Sequence, residues 1–335
     1  MASLRVALPS DGALYEDAGR FMQACGLRVS RPSSRRYTAA IPTLPGVEVL
    51  FQRASDITQE VDGGTADLGI VGLDRFQESR REGGDTMLLI DDLDFGGARL
   101  VIAVPDAWLD VTTMADLADL AFDFRQRGRE LRIATKYPRL VRRFMNRHGI
   151  NYFTLVHASG GLEAAPIMGY ADLIADISAS GNTLRENRMR TLADGVVLRS
   201  QATLIANLDG LQNDDEKLGL TRELLERVEA QLRSRDFQWV SANIEGGSAE
   251  DVAEHVMTRR ELAGMQGPTI SRVHSDDHKS WFAVQVVVRK EHLVRVVDHF
   301  RQLGGSGITV NEPTYVFRSY CEAYSRLLKA LGRVQ

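Results

Sequence analysis

Residues 163–184 bring together more chemistry-bearing side chains at useful spacing than any other stretch of the sequence. Glu163 opens it, an apolar run at 172–177 carries Asp176 near its end, and Ser178-Ala179-Ser180-Gly181-Asn182-Thr183 follows as a tight turn before a helix start. Small hydroxyl residues and glycine let successive backbone N–H groups point into one concavity. The hydroxyls of Ser180 and Thr183 and the positive end of the following helix add to it. That is a cradle for a phosphate monoester. A carboxylate just before such a turn can take ribose hydroxyls, or a magnesium ion through water. The same Ser-Gly-Asn-Thr order also makes an ordinary helix cap, so the residues alone leave both readings open.

Other chemistry-bearing groups are less convincing. His274 and His278 are four apart, but Asp276 and Asp277 between them belong to a polar turn at 275–280, which argues against a metal pair. Cys25 falls at a helix end on an apolar stripe and reads as core packing. The basic runs at 125–129 and 139–147 read as solvated faces.

The elements that must position these groups follow from periodicity. Strand-like runs at 4–8, 47–51, 67–71, 88–91, 99–104, 131–134, 152–157, 172–177 and 196–206 alternate with helical patterns such as 14–24 and 140–148. This alternation predicts α/β layers with largely parallel sheets, and ligands beyond the strand C-termini. Gly64-Thr65-Ala66-Asp67-Leu68 recurs as Gly169-Tyr170-Ala171-Asp172-Leu173. Two similar lobes would explain this, and so would chance recurrence of a common turn. A charged helix at 214–237 then leads into a strand at 238–243, a helix at 249–262, strands at 268–274 and 281–288, a helix at 291–303 and a strand at 307–315. That order is β-α-β-β-α-β, the ferredoxin-like pattern.

Composition excludes several classes. The 335 residues suit two or three domains, and 44% hydrophobic with 26% charged residues is ordinary for a globular chain. With 41 basic against 45 acidic residues the net charge is −4, which argues against nucleic acid held on a basic face. No apolar run approaches the roughly 18 residues of a membrane span, and the first residues read as a strand and not as a signal peptide. Cys25 and Cys321 lie far apart with no CxxC pair, which fits a reducing cytoplasm without a disulfide framework or zinc site.

Taken in order, Glu163, Gly169, Ala171, Ile174, Asp176, Ser180, Gly181, Thr183 and Leu184 meet every fixed position of a signature that resembles the ATP phosphoribosyltransferase family. Further blocks resemble it: Arg53 to Ile57 with Gly64, Ala66-Asp67-Leu68-Gly69-Ile70, Gly72 and Asp74; Leu93-Asp94-Phe95-Gly96-Gly97-Ala98-Arg99-Leu100; and Arg132-Ile133-Ala134-Thr135-Lys136-Tyr137-Pro138. Gly267-Pro268-Thr269 and Leu303-Gly304-Gly305-Ser306-Gly307-Ile308 resemble the regulatory domain of the family's long form. The resemblance covers residues 4–317.

It implies an α/β fold with a two-lobed, periplasmic-binding-protein-like catalytic core and a ferredoxin-like regulatory domain. Lobe I would comprise 1–101 and 203–236, lobe II 102–202, the regulatory domain 237–318, and a helical extension 319–335. The implied reaction moves phosphoribosyl from phosphoribosyl pyrophosphate to N1 of ATP, with Mg²⁺ as cofactor, as the first step of histidine biosynthesis. Glu163, Asp176, Lys136 and Arg99 would be catalytic, with Asp176 also reaching the metal through water. Asp176 and the loop Ser178, Ala179, Ser180, Gly181, Asn182 and Thr183 would bind phosphoribosyl pyrophosphate, and Gly12, Arg53, Asp74 and Arg99 would serve ATP and polyphosphate. Histidine would inhibit from a place beside Asn243 and Thr269, and the chain would form dimers that assemble to a hexamer. Two positions depart from the family. Ser10-Asp11-Gly12-Ala13 stands where a Lys usually precedes the glycine, and Gly160-Gly161-Leu162 stands where the middle residue is more commonly Ser. Exchanging a cation for Asp11 weakens polyphosphate binding unless another cation substitutes. Asp11 also favours the alternative, a non-catalytic two-lobed relative that binds a nucleotide or an amino acid.

Overall fold

The computed structural model describes residues 3–33, 35–157, 161–276 and 279–333, so Gly160, Asp277 and His278 lie outside the described residues. The chain divides into two compact units. One comprises residues up to 23, 27–220 and 326 onward; the other comprises 24–26 and 221–325.

In the first unit the chain runs β1 (Leu4–Pro9), α1 (Tyr15–Ala24), β2 (Thr38–Ala40), β3 (Val47–Gln52), α2 (Ile57–Asp62), β4 (Leu68–Gly72), α3 (Leu73–Ser79) and β5 (Thr86–Ile90). It continues with β6 (Ala98–Pro105), α4 (Met114–Gln126), β7 (Leu131–Thr135), α5 (Pro138–Arg147), β8 (Phe153–His157), β9 (Leu173–Ser178) and α6 (Asn182–Glu186). Then come β10 (Met189–Ser200), β11 (Ala202–Asn207), α7 (Leu208–Gln212) and α8 (Asp215–Ser234), the last of which runs on into the second unit. Two sheets result, ordered β2-β3-β1-β4-β11-β5 and β10-β6-β9-β7-β8. Every residue of β4 is buried, as a central strand covered on both faces requires. The amphipathic α5 starts on Pro138 and buries Leu140, Val141, Phe144 and Met145 in the core of the second sheet. Each such side chain contributes about 1.5–3 kcal/mol.

Two expectations need correction. The sheets are mixed, not largely parallel: β1 is parallel to β3 and β4, and β7 to β8 and β9, but the flanking pairs are antiparallel. The single strand expected at 196–206 is two strands, because β10 ends at Ser200 in one sheet and β11 begins at Ala202 in the other. A chain that returns from one lobe to the other without a crossover helix adds its strands antiparallel.

The second unit contains β12 (Phe237–Glu245), α9 (Ala249–Met257), β13 (Thr269–Val273), β14 (Trp281–Arg289), α10 (Leu293–Gln302) and β15 (Ser306–Asn311), followed by α11 (Glu322–Ala330), which runs on into the first unit. Its sheet is antiparallel throughout and ordered β13-β14-β12-β15, the ferredoxin-like arrangement expected from the sequence. Val240, Ala242 and Ile244 alternate with Phe282, Val284, Val286 and Val288 to bury one face against Val252, Val256, Val296 and Phe300. Among the described residues, no helix is long and apolar enough to cross a membrane.

Candidate active site

The parallel strands of the first unit aim their C-terminal ends at the residues singled out in the sequence. In lobe II, Thr135 lies opposite Ala175, so Lys136, just past the end of β7, comes beside Asp176 in β9. Burial pushes the Asp176 carboxyl above its ordinary range. The Ile177 N–H and the charges of Lys136 and Arg75 oppose that push, and Glu163 reinforces it. The Ile177 N–H donates to Asp176 Oδ1 at 2.8 Å. Glu163 sits on the 3₁₀ turn Leu162–Ala164. Thus Glu163, Asp176 and Lys136 share one electrostatic neighbourhood.

The loop after Asp176 turns at Gly181, which holds a φ of 77° that other residues rarely adopt. The helix behind it, α6, has only five residues, so its dipole adds less than the sequence reading assigned to it. Cationic side chains take that place. Arg99, at the start of β6, lies directly opposite Ser178. A cavity of about 520 Å³ brings Arg99 together with Ser178, Ser180, Gly181, Arg185 and Arg190. Arg185 also donates to Asn182 Oδ1, and Arg190 to the Trp108 carbonyl. Neither was singled out in the sequence. Arg185, two residues past Thr183, could have been. The arrival of Arg190 depends on β10 pairing with β6, which no local pattern announces. Ala179 and Ser180 of this loop are exposed, as are Asn182 and Thr183 in the first turn of α6.

In lobe I, Gly12 follows β1 with a φ of 77°, and Arg53 follows β3 with an exposed side chain. Asp74 opens α3 after β4 and is buried. Both of its carboxylate oxygens accept hydroxyls, from Tyr137 at 2.7 Å and Ser200 at 2.6 Å. A Cβ on Gly72 would lie 2.4 Å from Asp74 Oδ1, so the glycine keeps this carboxylate in place. Burial, and then the Asp74 charge, hold the Tyr137 phenol protonated far above neutral pH. Next to Asp74, Arg75 lies over the Tyr137 ring, 4.5 Å from its centre. One turn on, Glu78 accepts the N–H groups of Arg139 at 2.8 Å and Leu140 at 3.0 Å, satisfying two orphan donors at the start of α5. Helix α3 of lobe I therefore grips the β7–α5 corner of lobe II at three points.

In the second unit, Thr269 lines a cavity of about 360 Å³ with Trp239, Gly267 and Gln285. Asn243 lies further along β12 and is not among the lining residues; its amide nitrogen is 3.6 Å from the position of a Cβ on Gly307. Cys25 and Cys321 are buried free thiols, each pushed up to about 12 by burial. Among the described residues, no three His, Cys, Asp or Glu side chains cluster to hold a metal.

A tight glycine turn, a half-buried carboxylate and converging cations sit at strand ends of a two-lobed α/β core, and its relatives make the chain an enzyme of the phosphoribosyltransferase type, a glycosyltransferase. The family model described as ATP phosphoribosyltransferase matches residues 53–230, and that of the HisG C-terminal domain matches 235–312. The chain belongs to the ATP phosphoribosyltransferase family, in its long form. It is 38% identical over 335 residues to ATP phosphoribosyltransferase 1, chloroplastic, of Arabidopsis thaliana, covering 98% of this chain and 81% of that one. To the ATP phosphoribosyltransferase of Bradyrhizobium sp. (strain ORS 278) it is 40% identical over 270 residues, 80% of this chain and 83% of that one. The ATP phosphoribosyl transferase (HisG:HisZ) complex from Thermotoga maritima matches with a TM-score of 0.51 at 24% identity, over 68% of this chain and 98% of that one, a likeness of fold.

Proposed function

We propose that this chain transfers the phosphoribosyl group of phosphoribosyl pyrophosphate to N1 of ATP, giving phosphoribosyl-ATP and pyrophosphate, the first step of histidine biosynthesis. The observation that carries the reading is the placement of the family signature. Asp176 feels the charges of both Glu163 and Lys136 just before the Ser178–Thr183 loop. In the reaction, N1 forms a bond to ribose C1 as the bond from C1 to pyrophosphate breaks, and positive charge develops on the ribose. The carboxylates of Asp176 and Glu163 stabilise that charge, while the loop amides and hydroxyls hold the 5′-phosphate. Arg99, Lys136 and Arg53 orient the polyphosphates and neutralise the departing pyrophosphate. Gly12 lets the chain approach the nucleotide closely.

Mg²⁺ suits this donor set. One carboxylate, Asp176, with Glu163 near it and no three-ligand cage among the described residues, matches an ion that keeps its waters and is shared with substrate phosphates. When bound, it supplies further neutralisation of the pyrophosphate. In this proposal lobe I spans 1–101 and 203–236, lobe II 102–202, a regulatory domain 237–318 and an extension 319–335. Histidine, bound beside Thr269 and Asn243, would restrain cleft closure in a homo-oligomer of dimers forming a hexamer. The buried free thiols suit a cytoplasmic setting.

The test is phosphoribosyl-ATP formation from ATP, phosphoribosyl pyrophosphate and Mg²⁺, with pyrophosphatase to draw the reaction forward, with and without histidine. Turnover that histidine suppresses is expected. Unsuppressed turnover removes histidine from the proposal. The second reading, a non-catalytic nucleotide- or amino-acid-binding relative, draws on Asp11; it takes over if either substrate binds without turnover.

A further inference from the structure

Asp11 leaves lobe I without the cation that resembling sequences place after the first strand, and the structure offers a replacement. The Asp11 turn runs into Leu14, whose side chain lies within 3.8 Å of a Cβ on Gly72 and 2.3 Å of one on Gly96. Leu14, three residues past Asp11, therefore packs beside Gly72, the residue that opens the corner carrying Asp74 and Arg75. At this corner the two neighbouring side chains divide their roles. Asp74 is wholly engaged, with Tyr137 and Ser200 on its two oxygens. Arg75 is half-buried and stacked on the Tyr137 ring, and among the described residues its guanidinium has neither a hydrogen bond nor an ion pair. Lobe II's Asp176 feels its positive charge. A guanidinium fixed on one face by an aromatic ring, with its five donors unused, is pre-organised for a forked anion.

We propose that Arg75 is a further cation by which lobe I holds the pyrophosphate group, beside Arg53 and Arg99, and that it substitutes for the residue that Asp11 displaces. The inference rests on the phosphoribosyl-transfer reading only for the identity of the substrate. Tyr137 then acts as a platform: its hydroxyl is tied to Asp74, its face carries Arg75, and the preceding residue, Lys136, supplies lobe II's cation beside Asp176. Pyrophosphate is thereby gripped by cations from both lobes, which couples its binding to the approach of the lobes. Its departure after transfer frees both.

The experiment is a calorimetric titration of inorganic pyrophosphate with Mg²⁺ into the full chain, paired with the KM for phosphoribosyl pyrophosphate. The titration needs no turnover, so it separates failure of this inference from failure of the catalytic reading. Arg75→Gln is expected to weaken pyrophosphate binding, and to raise the KM, by about tenfold to a hundredfold, the range for loss of one charged hydrogen-bonding partner. Arg75→Lys, which keeps the charge but not the fork, is expected to lose only a fraction of that. Adding Asp11→Lys to Arg75→Gln is expected to restore binding. Unchanged pyrophosphate affinity in Arg75→Gln, with an unchanged melting temperature, overturns the proposal. Equal losses in Arg75→Gln and Arg75→Lys, both with lowered melting temperature, also overturn it, because they assign Arg75 to packing on Tyr137 alone.

Discussion

The two lobes are alike where their parallel strands begin and unlike where those strands end. In lobe I, Arg5 donates its backbone N–H to Asp67 Oδ2 at 2.7 Å and a guanidinium N–H to the Gly64 carbonyl at 2.8 Å. In lobe II, Arg132 donates in the same way to Asp172 Oδ2 at 2.8 Å and to the Gly169 carbonyl at 2.7 Å. The register repeats as well, with Val6 opposite Leu68 and Ile133 opposite Leu173. The recurring Gly-x-Ala-Asp-Leu is thus one device used twice: an arginine near the strand start is clipped to a carboxylate and to the glycine turn before the neighbouring strand. The third partner differs. Asp67, 0% exposed, also receives Lys217 at 2.8 Å, whereas Asp172 receives Arg129, whose side chain is 49% exposed. At the opposite edges nothing recurs. Lobe I ends its strands in Gly12, Arg53 and the Asp74 clasp, and lobe II in Lys136, Asp176 and the phosphate-type loop. An edge that only has to hold strands together can repeat, while an edge that in the proposed reaction faces substrate must differ.

The largest expected effect tests the first half of this contrast. Asp67→Ala leaves Arg5 and Lys217 without their shared buried carboxylate and is expected to cost about 3–5 kcal/mol, read from the denaturant midpoint. Asp172→Ala, whose arginine partners reach solvent, is expected to cost about 1–2 kcal/mol. Equal losses would break the contrast. Between the two lies Asp74→Ala, which strands the hydroxyls of Tyr137 and Ser200 and is expected to cost about 2–3 kcal/mol. Asp74→Asn, which keeps a carbonyl acceptor, should recover part of that. A variant as stable as the parent would mean that the Tyr137 and Ser200 hydroxyls find other partners, and that the join between lobes does not depend on Asp74.

Much of this was legible in the sequence. The strands at 4–8, 47–51, 131–134 and 281–288 announced themselves by apolar runs and alternation, and the ferredoxin-like order by its rhythm. The Gly64 and Gly169 echo was visible, but not the arginines that give it meaning, since Arg5 and Arg132 meet their carboxylates only through parallel pairing. The loop at 178–183 and Asp176 were legible because their residues are contiguous. Arg75, Arg190 and the Asp74–Tyr137–Ser200 triangle were not, because their partners lie between 62 and 126 residues away or in another strand. The break at Gln201 was hidden for a related reason: apolar periodicity continues across it, and only the sheet each half joins reveals two strands. Helices α2 and α3, six and seven residues long, span less than two turns, too little for a repeating period to stand out.

Acid titration narrows the contrast to a single segment. Burial pushes the Asp172 carboxyl up, but the hydrogen bonds and charge of Arg132, joined by the charge of Arg129, outweigh it and hold it below the usual range. A carboxyl lowered in the fold contributes stability above its unfolded value of about 3.9, and that stability is lost as pH falls through the folded value. The melting-temperature gap between the parent and Asp172→Asn should therefore close on acidification. A gap that stayed constant down to the acid limit would assign the effect to packing and not to charge.

Four residues along the same segment the sign reverses, with the smallest change in stability. Asp176 is held above the usual carboxylate range, chiefly by burial. Its ionised form is thus disfavoured in the fold, a penalty present in full above the folded value and gone once pH falls below the unfolded one. Asp176→Asn should accordingly raise stability at neutral pH by about 1 kcal/mol while abolishing turnover, the exchange expected where a site is built for chemistry at the expense of the fold. Its advantage should vanish below pH of about 4. Loss of stability in Asp176→Asn would instead place Asp176 with Asp172, as a carboxylate that holds strands together, and would remove the physical distinction between the two edges of lobe II.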